Sequence, residues 1–211
     1  MSKYLEALVS RNPKLKMVED SINEAYKTMV ECYQNNGKLL IAGNGGSCAD
    51  AEHMVGELMK NFKINRSIDK DLLEKLRESA DIYSRELEHD LTGSLPAICL
   101  NSNMALFTAY LNDVEGTSYY AQMVYSLAKE NDVFVGISTS GNSKNIIKAA
   151  IVAKLKRNKT VILTGKNGGA LANYADICIK VPEEETYLIQ ELHLTIYHCL
   201  CLMLEEYFFA S

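Results

Sequence analysis

The chain has 211 residues, 47% of them hydrophobic, which suits one domain with a substantial buried core. A formal net charge of −5 offers no general basic surface, so neither nucleic acid nor an anionic membrane is an expected partner. With only 3 prolines and an ordinary glycine content, long disordered linkers are excluded as well.

The chain opens with "MSKYLEALVSRNPKLK", which has no apolar h-region and is not a secretory signal. Apolar residues Leu5, Leu8 and Val9, then Val18, Ile22, Ala25, Met29 and Val30, recur at helical spacing, so the first 36 residues are predicted as helix. Gly37 is the expected C-cap. Strands are predicted at 38–42 ("KLLIA"), 94–100 ("SLPAICL"), 132–138 ("DVFVGIS"), 159–165 ("KTVILTG") and 175–181 ("ADICIKV"). Helices are expected between them, including one from about Ser47 to Asn61 and "NSKNIIKAAIVAKLKRN" between the third and fourth strands. Five strands alternating with helices predict a parallel α/β sheet covered on both faces. Residues 62–92 form a charged, helix-prone excursion, read either as a solvated surface or as a lid or subunit contact. The last helix, about Thr186 to Phe208, is apolar nearly all round and is expected to be buried. No stretch approaches the roughly 20 apolar residues of a membrane span. Six cysteines occur without a C-x-x-C pair, several in apolar runs, which points to a reducing cytoplasm.

Two glycine-bearing loops follow strands and open into helices: "GNGGS" (43–47) and "STSGNS" (138–143). Helix-start N–H groups and hydroxyls suit a phosphate, and such loops lie at the carboxyl ends of strands where open α/β sheets bind ligands. Neither loop is G-x-G-x-x-G or ends in G-K-[ST], which disfavours nucleotide hydrolysis. Either loop alone could be an ordinary turn, but the hydroxyls of Ser138, Thr139, Ser140 and Ser143 exceed what a turn needs. A third turn, "LTGKNGGAL" (163–171) with Lys166, is left outside the site.

On the first of these helices His53 and Glu57 stand four apart on one face, competent as metal ligands or as a solvated i,i+4 pair. The end helix carries Gln190, Glu191, His193 and His198 in "QELHLTIYH", polar groups that need partners in an apolar setting.

"AGNGGSCADAEHMVGEL", "ISTSGNSKNIIKA", "LTGKNGG" and "VP…IQELHLTIYHCL", in this order and over nearly the whole chain, resemble the phosphoheptose isomerases of the sugar isomerase (SIS) superfamily. The resemblance implies a single SIS domain, a flavodoxin-like three-layer sandwich, carrying N-terminal helices and the 62–92 insertion. It implies a divalent metal, usually zinc, on His53, Glu57, Gln190 and His198. Phosphate contacts would fall on Ser138, Thr139, Ser140 and Ser143, with Asn44, Gly45, Gly46 and Ser47 lining the site. It also implies a homotetramer with active sites at subunit interfaces, and interconversion of an aldose and a ketose phosphate, sedoheptulose 7-phosphate to a heptose 7-phosphate. In that reaction Glu57 and His198 would either hold the metal or move protons, or exchange the two roles during turnover. Gln190 and His198 are eight residues apart, roughly 12 Å of rise and about 80° of turn on a straight helix, so one metal could bind both only through long reaches, a bend or different subunits.

The chain departs from the family pattern in its longer 62–92 segment and in Asn103, where an Asp is common, which bears on the particular sugar. Two other readings stay open: isomerisation of another sugar phosphate, and a non-catalytic SIS binding protein. A DNA-binding regulator is disfavoured, because only about 36 residues, not strongly basic, precede the first strand.

Overall fold

The computed structural model describes residues 2–79 and 81–210. Helix α1 spans Lys3–Arg11, a 3-10 turn covers Pro13–Val18, and α2 spans Glu19–Gln34. The predicted N-terminal helical region is thus two helices joined by a 3-10 turn. Pro13 lacks an N–H and disfavours helical geometry at the residue before it, and Asn12 sits at φ −129° and ψ 78°. Strand β1 (Leu39–Gly43) leads into α3 (Gly46–Met59), and the excursion carries α4 (Lys70–Glu78) and α5 (Ile82–Asp90). Then come β2 (Ala97–Cys99), α6 (Met104–Asp113), α7 (Tyr119–Leu127), β3 (Val133–Ser138) and α8 (Lys144–Leu155). The chain ends with β4 (Lys159–Thr164), β5 (Ile177–Lys180) and α9 (Thr186–Phe209).

All five strands are parallel, in the order β2-β1-β3-β4-β5. The side-chain period of two sorts each strand's residues between the faces. Leu39, Ile41, Val133, Val135, Ile137, Val161 and Leu163 join α1, α2, α3 and α9 in one core. Leu40, Ala42, Phe134 and Ile162 join α7 and α8 in the other. The predicted three-layer sandwich is thus the observed one. In this strand order the chain reverses direction across the sheet between β1 and β3, and ligands of open α/β sheets bind at the carboxyl ends flanking that point. The two glycine-bearing loops leave from those two strand ends.

Two expectations need correction. By length and composition α9 is apolar enough to cross a membrane, with a mean hydropathy of 1.2, whereas no such stretch was expected. Half of that window is buried in this domain against the α1, α2 and α3 layer, which accounts for its apolarity. The excursion, for its part, divides physically. Helices α4 and α5 contain no buried residue, and Ala80 between them lies outside the described residues. At the root of the same segment, however, Arg66 is only 2% exposed.

Candidate active site

The phosphate-type end is built mostly from backbone and uncharged side chains. Ser138 ends β3 fully buried, its Oγ 3.0 Å from Ser143 Oγ at the start of α8. Ser140 Oγ accepts the Asn142 N–H at 3.1 Å, and the Thr139 carbonyl accepts from Gly165 N at 3.0 Å. Asn44 and Asn145 exchange two amide hydrogen bonds of 2.9 and 2.8 Å, which lock the first loop to the second. Tyr120 Oη donates to the Gly43 carbonyl at 2.8 Å, and Asn101 Nδ2 donates to the same oxygen at 3.1 Å. Neither α3, which begins beyond Gly45, nor α8, which begins beyond Ser143, has a side chain of its N-cap residue bonded to it. The Ser47 and Cys48 N–H groups already donate to the Asn44 and Gly45 carbonyls, and that of Ile146 donates to Asn145 Oδ1. The helix-start donors open to an anion are therefore those of Gly46, Lys144 and Asn145. Ser47 is buried in the first turn of α3, while Asn44, Gly45 and Gly46 are exposed at the crevice.

The third turn takes part as a buttress. Gly141 has φ +65°, and a Cβ there would lie 2.0 Å from the Gly168 carbonyl oxygen, so the second loop and the third turn are pressed backbone to backbone. Asn142 Oδ1 accepts the Ala170 N–H at 3.0 Å. Lys166 pairs with Glu184, as suits a residue of a plain turn.

Helices α3 and α9 run side by side in the same direction, and this places the other predicted residues. A Cβ on Gly46 would meet Gln190 Nε2 at 2.3 Å, so Gln190 sits at the start of α3. Seven residues on, roughly 10 Å of helix rise, His53 Nε2 lies 3.1 Å from Glu57 Oε1. The rings of His53 and His198 are 4.9 Å apart at 86°, and Phe62 lies 5.5 Å from His198 on another side. Within one chain His53, Glu57 and His198 therefore come together, and Gln190 stands at the far end of the same helix pair. Asn103 caps α6, its Oδ1 accepting the Leu106 N–H at 3.0 Å. Glu191 is exposed, and His193 is fully buried.

The electrostatics at this end leave donors open. Tyr197 Oη is 2.9 Å from His53 Nδ1 and 3.3 Å from Asp50 Oδ1. The hydroxyl has one proton to give. If Asp50 receives it, His53 Nδ1 must donate to Oη, and Nε2 then faces the Glu57 carboxylate with a lone pair or a second proton. Glu57 Oε2, Asp50 Oδ2 and His198 Nε2 are buried without a hydrogen-bond partner among the described residues. Burial, with His53 close by, pushes the His198 pKa below the ordinary imidazole value, so its ring is neutral at pH 7. Burial likewise raises Asp50. Open imidazole and carboxylate donors fit a borderline divalent cation. Within one chain, however, no group of three or more His, Cys, Asp or Glu among the described residues is placed to hold a metal ion.

SIS-domain models match residues 92–204 and residues 3–93. The phosphoheptose isomerase of Aneurinibacillus thermoaerophilus is 37% identical over 98% of this chain and 89% of its own length. That of Helicobacter pylori is 34% identical over 92% of this chain and 88% of its own. The chain belongs to the phosphoheptose isomerase family. The solved phosphoheptose isomerase of Francisella tularensis superposes with a TM-score of 0.76 at 32% identity, covering 96% of this chain and 95% of that one. The Neisseria gonorrhoeae structure does so at 0.74 and 29%, covering 95% and 94%.

Sequence reasoning missed several residues that hydrogen-bond to the predicted site residues or their loops: Asn101, Asn145, Tyr120, Tyr197 and, through Tyr197, Asp50. Asn145 lay two residues past the serine loop and Tyr197 beside His198, yet nothing in their spacing announced a partner.

Proposed function

We propose that the chain interconverts sedoheptulose 7-phosphate and D-glycero-D-manno-heptose 7-phosphate through an enediol(ate). The observation that carries this reading is the placement, along the α3–α9 pair, of a phosphate-type crevice at the start of α3 and, two to three turns on, Glu57 and His198 gathered around His53. Ser138, Thr139, Ser140 and Ser143, with the first N–H groups of α3 and α8, would hold the phosphate and fix the sugar's reacting end. Glu57 then takes a proton from C1 of the ketose and returns it to C2, using the carboxylate oxygen that His53 leaves free. Neutral His198 exchanges protons with the oxygens, giving one to the C2 oxygen and taking one from the C1 hydroxyl. The transfers sum to an isomerisation with no net oxidation.

His53, Glu57 and His198, with Gln190 from this or a neighbouring subunit, would hold a divalent metal such as zinc, which when bound polarises the sugar's oxygens. A tight ligand is not a free proton carrier, so for Glu57 and His198 the ligand and proton-transfer roles are alternatives or exchange during turnover. Exposed Met59, Tyr187 and Leu194 on α3 and α9 support a homotetramer that brings such pieces together. Six unpaired cysteines support a reducing, cytoplasmic setting.

The test is an NMR assay with sedoheptulose 7-phosphate on metal-analysed protein of known oligomeric mass, run beside Glu57→Gln. Aldose phosphate formed by the wild type and abolished in the variant is the expected result. No conversion by a tetramer carrying one zinc per chain would overturn the heptose assignment in favour of another phosphosugar. No conversion and no metal would favour a binding protein.

A further inference from the structure

Arg66 is the largest fully buried side chain among the described residues, in a segment whose composition is that of solvated surface. An arginine stays charged at any ordinary pH, so its burial demands partners. Its Nη2 donates to the Glu57 carbonyl at 2.7 Å and its Nη1 to the Leu58 carbonyl at 2.7 Å. These belong to the last turn of α3, whose carbonyls lack partners within the helix. Its Nε donates to Glu205 Oε1 at 2.8 Å. The Glu205 carboxylate, buried on α9, also accepts the backbone N–H groups of Phe62 and Lys63, each at 2.9 Å. One ion pair thus holds the main chain on both sides of the α3 terminus. Glu57 carries the open carboxylate oxygen, and Phe62 carries the ring set against His198.

A buried ion pair is weak evidence for stability, because apolar residues of similar volume often serve as well. The fork of Arg66 does something an apolar side chain cannot, which is to fix two carbonyl oxygens and a carboxylate in one plane. We propose that Arg66, through Glu205, is a positioning residue that sets the Glu57 carboxylate and the Phe62–His198 contact for proton transfer. This rests on the isomerase reading of the site. Misplacement of reacting groups by about 1 Å can lower a rate on the order of 100-fold without altering substrate affinity, and the remote phosphate end supplies that affinity.

The test uses the full chain with two variants, Arg66→Met/Glu205→Leu and Arg66→Lys, assayed with sedoheptulose 7-phosphate. The double variant leaves no unpaired buried charge. We expect a folded protein with a lowered melting temperature, since the Glu57 carbonyl and the Phe62 and Lys63 N–H groups lose their partners. Its kcat should be down roughly 10- to 100-fold, with KM changed by less than about 3-fold. If the double variant does not fold, Arg66→Lys carries the test, since it keeps the charge at Glu205 but not the fork. It should lose about 10-fold in kcat at unchanged KM. A Leu8→Ala control, which destabilises the α1–α9 contact away from Glu57, should retain wild-type kcat when folded. Wild-type kcat in a folded double variant, or in Arg66→Lys, would overturn the positioning role while leaving the isomerase intact. A wild type with no turnover would overturn the isomerase reading, and the positioning role with it.

Discussion

The two ends of the α3–α9 pair are built on opposite plans. At the start of α3 the site consists of backbone N–H groups, hydroxyls and carboxamides, and its loops are tied together by Asn44–Asn145, Ser138–Ser143 and the Gly141–Gly168 contact. Two to three turns on, the groups are titratable, and Glu57 Oε2 and His198 Nε2 lack partners among the described residues. A binding end can be satisfied in advance because a phosphate only borrows donors already in place. A reacting end must keep atoms open, since a carboxylate fully committed to hydrogen bonds has nothing left for a substrate proton. The comparison teaches that what separates the two ends is open titratable atoms rather than a cavity: one of about 630 Å³ lies elsewhere, among Thr28, Glu31, Lys129 and Lys156.

If the plans differ in this way, kcat and KM should separate along one helix. Glu57→Gln keeps the shape and removes the base, so kcat should fall by about 10³-fold or more, roughly 4 kcal/mol, with KM within a few-fold. Steady-state kinetics on the purified pair checks this, and a variant whose loss lay in KM would break the division. Gly141→Ala attacks the other end. Its φ of +65° and the 2.0 Å approach to the Gly168 oxygen predict a loss of about 3 kcal/mol, read as a lower urea midpoint, together with a raised KM. An unchanged midpoint would show that the two turns can separate without consequence. Ser143→Ala should act more mildly. Losing one hydrogen bond to a charged phosphate corresponds to about 1.4 kcal/mol, or a roughly 10-fold rise in KM at near-constant kcat.

The division also explains what could be read from the chain in advance. The sheet and both loops were legible because apolar runs ending in glycine and serine are local signals, as in "KLLIAGNGGS". His53 and Glu57 were legible because four residues is one helix turn. What stayed hidden depends on partners far along the chain. Asn44 meets Asn145 across 101 positions, Tyr197 meets His53 across 144, and Arg66 meets Glu205 across 139. No local pattern separates a charged residue that is buried on its partner from one that is solvated. Residues 62–92 therefore read as one unit, solvated surface or else lid or subunit contact, although Arg66 at their root is core and Leu72 and Tyr83 toward the tip are exposed. The N-terminal break was readable from Pro13, and the apolar rhythm on either side masked it.

Between the two ends lies His193, three residues after Gln190 and five before His198, and it sharpens the division by belonging to neither plan. It is wholly buried. The Thr164 backbone approaches its ring without completing a hydrogen bond, and both ring nitrogens lack partners among the described residues. Burial lowers its pKa from 6.5 to about 4. The folded protein then holds this ring neutral while the unfolded chain protonates it, so between pH 6.5 and 4 the unfolded state binds more protons and stability falls with falling pH. From pH 6.5 to 5.5 the loss due to this group is about 1 kcal/mol, and it levels off below pH 4. His193→Leu, close in volume and with no polar atom to leave unpaired, should remove that slope and leave the rest of the pH profile, including the contribution of His198, in place. Urea midpoints of the two proteins at pH 7, 6 and 5 measure the difference directly. Profiles that stay parallel would mean that His193 finds its proton or its partner in the folded state, and the interval between the two ends would then have to be counted with the reacting one.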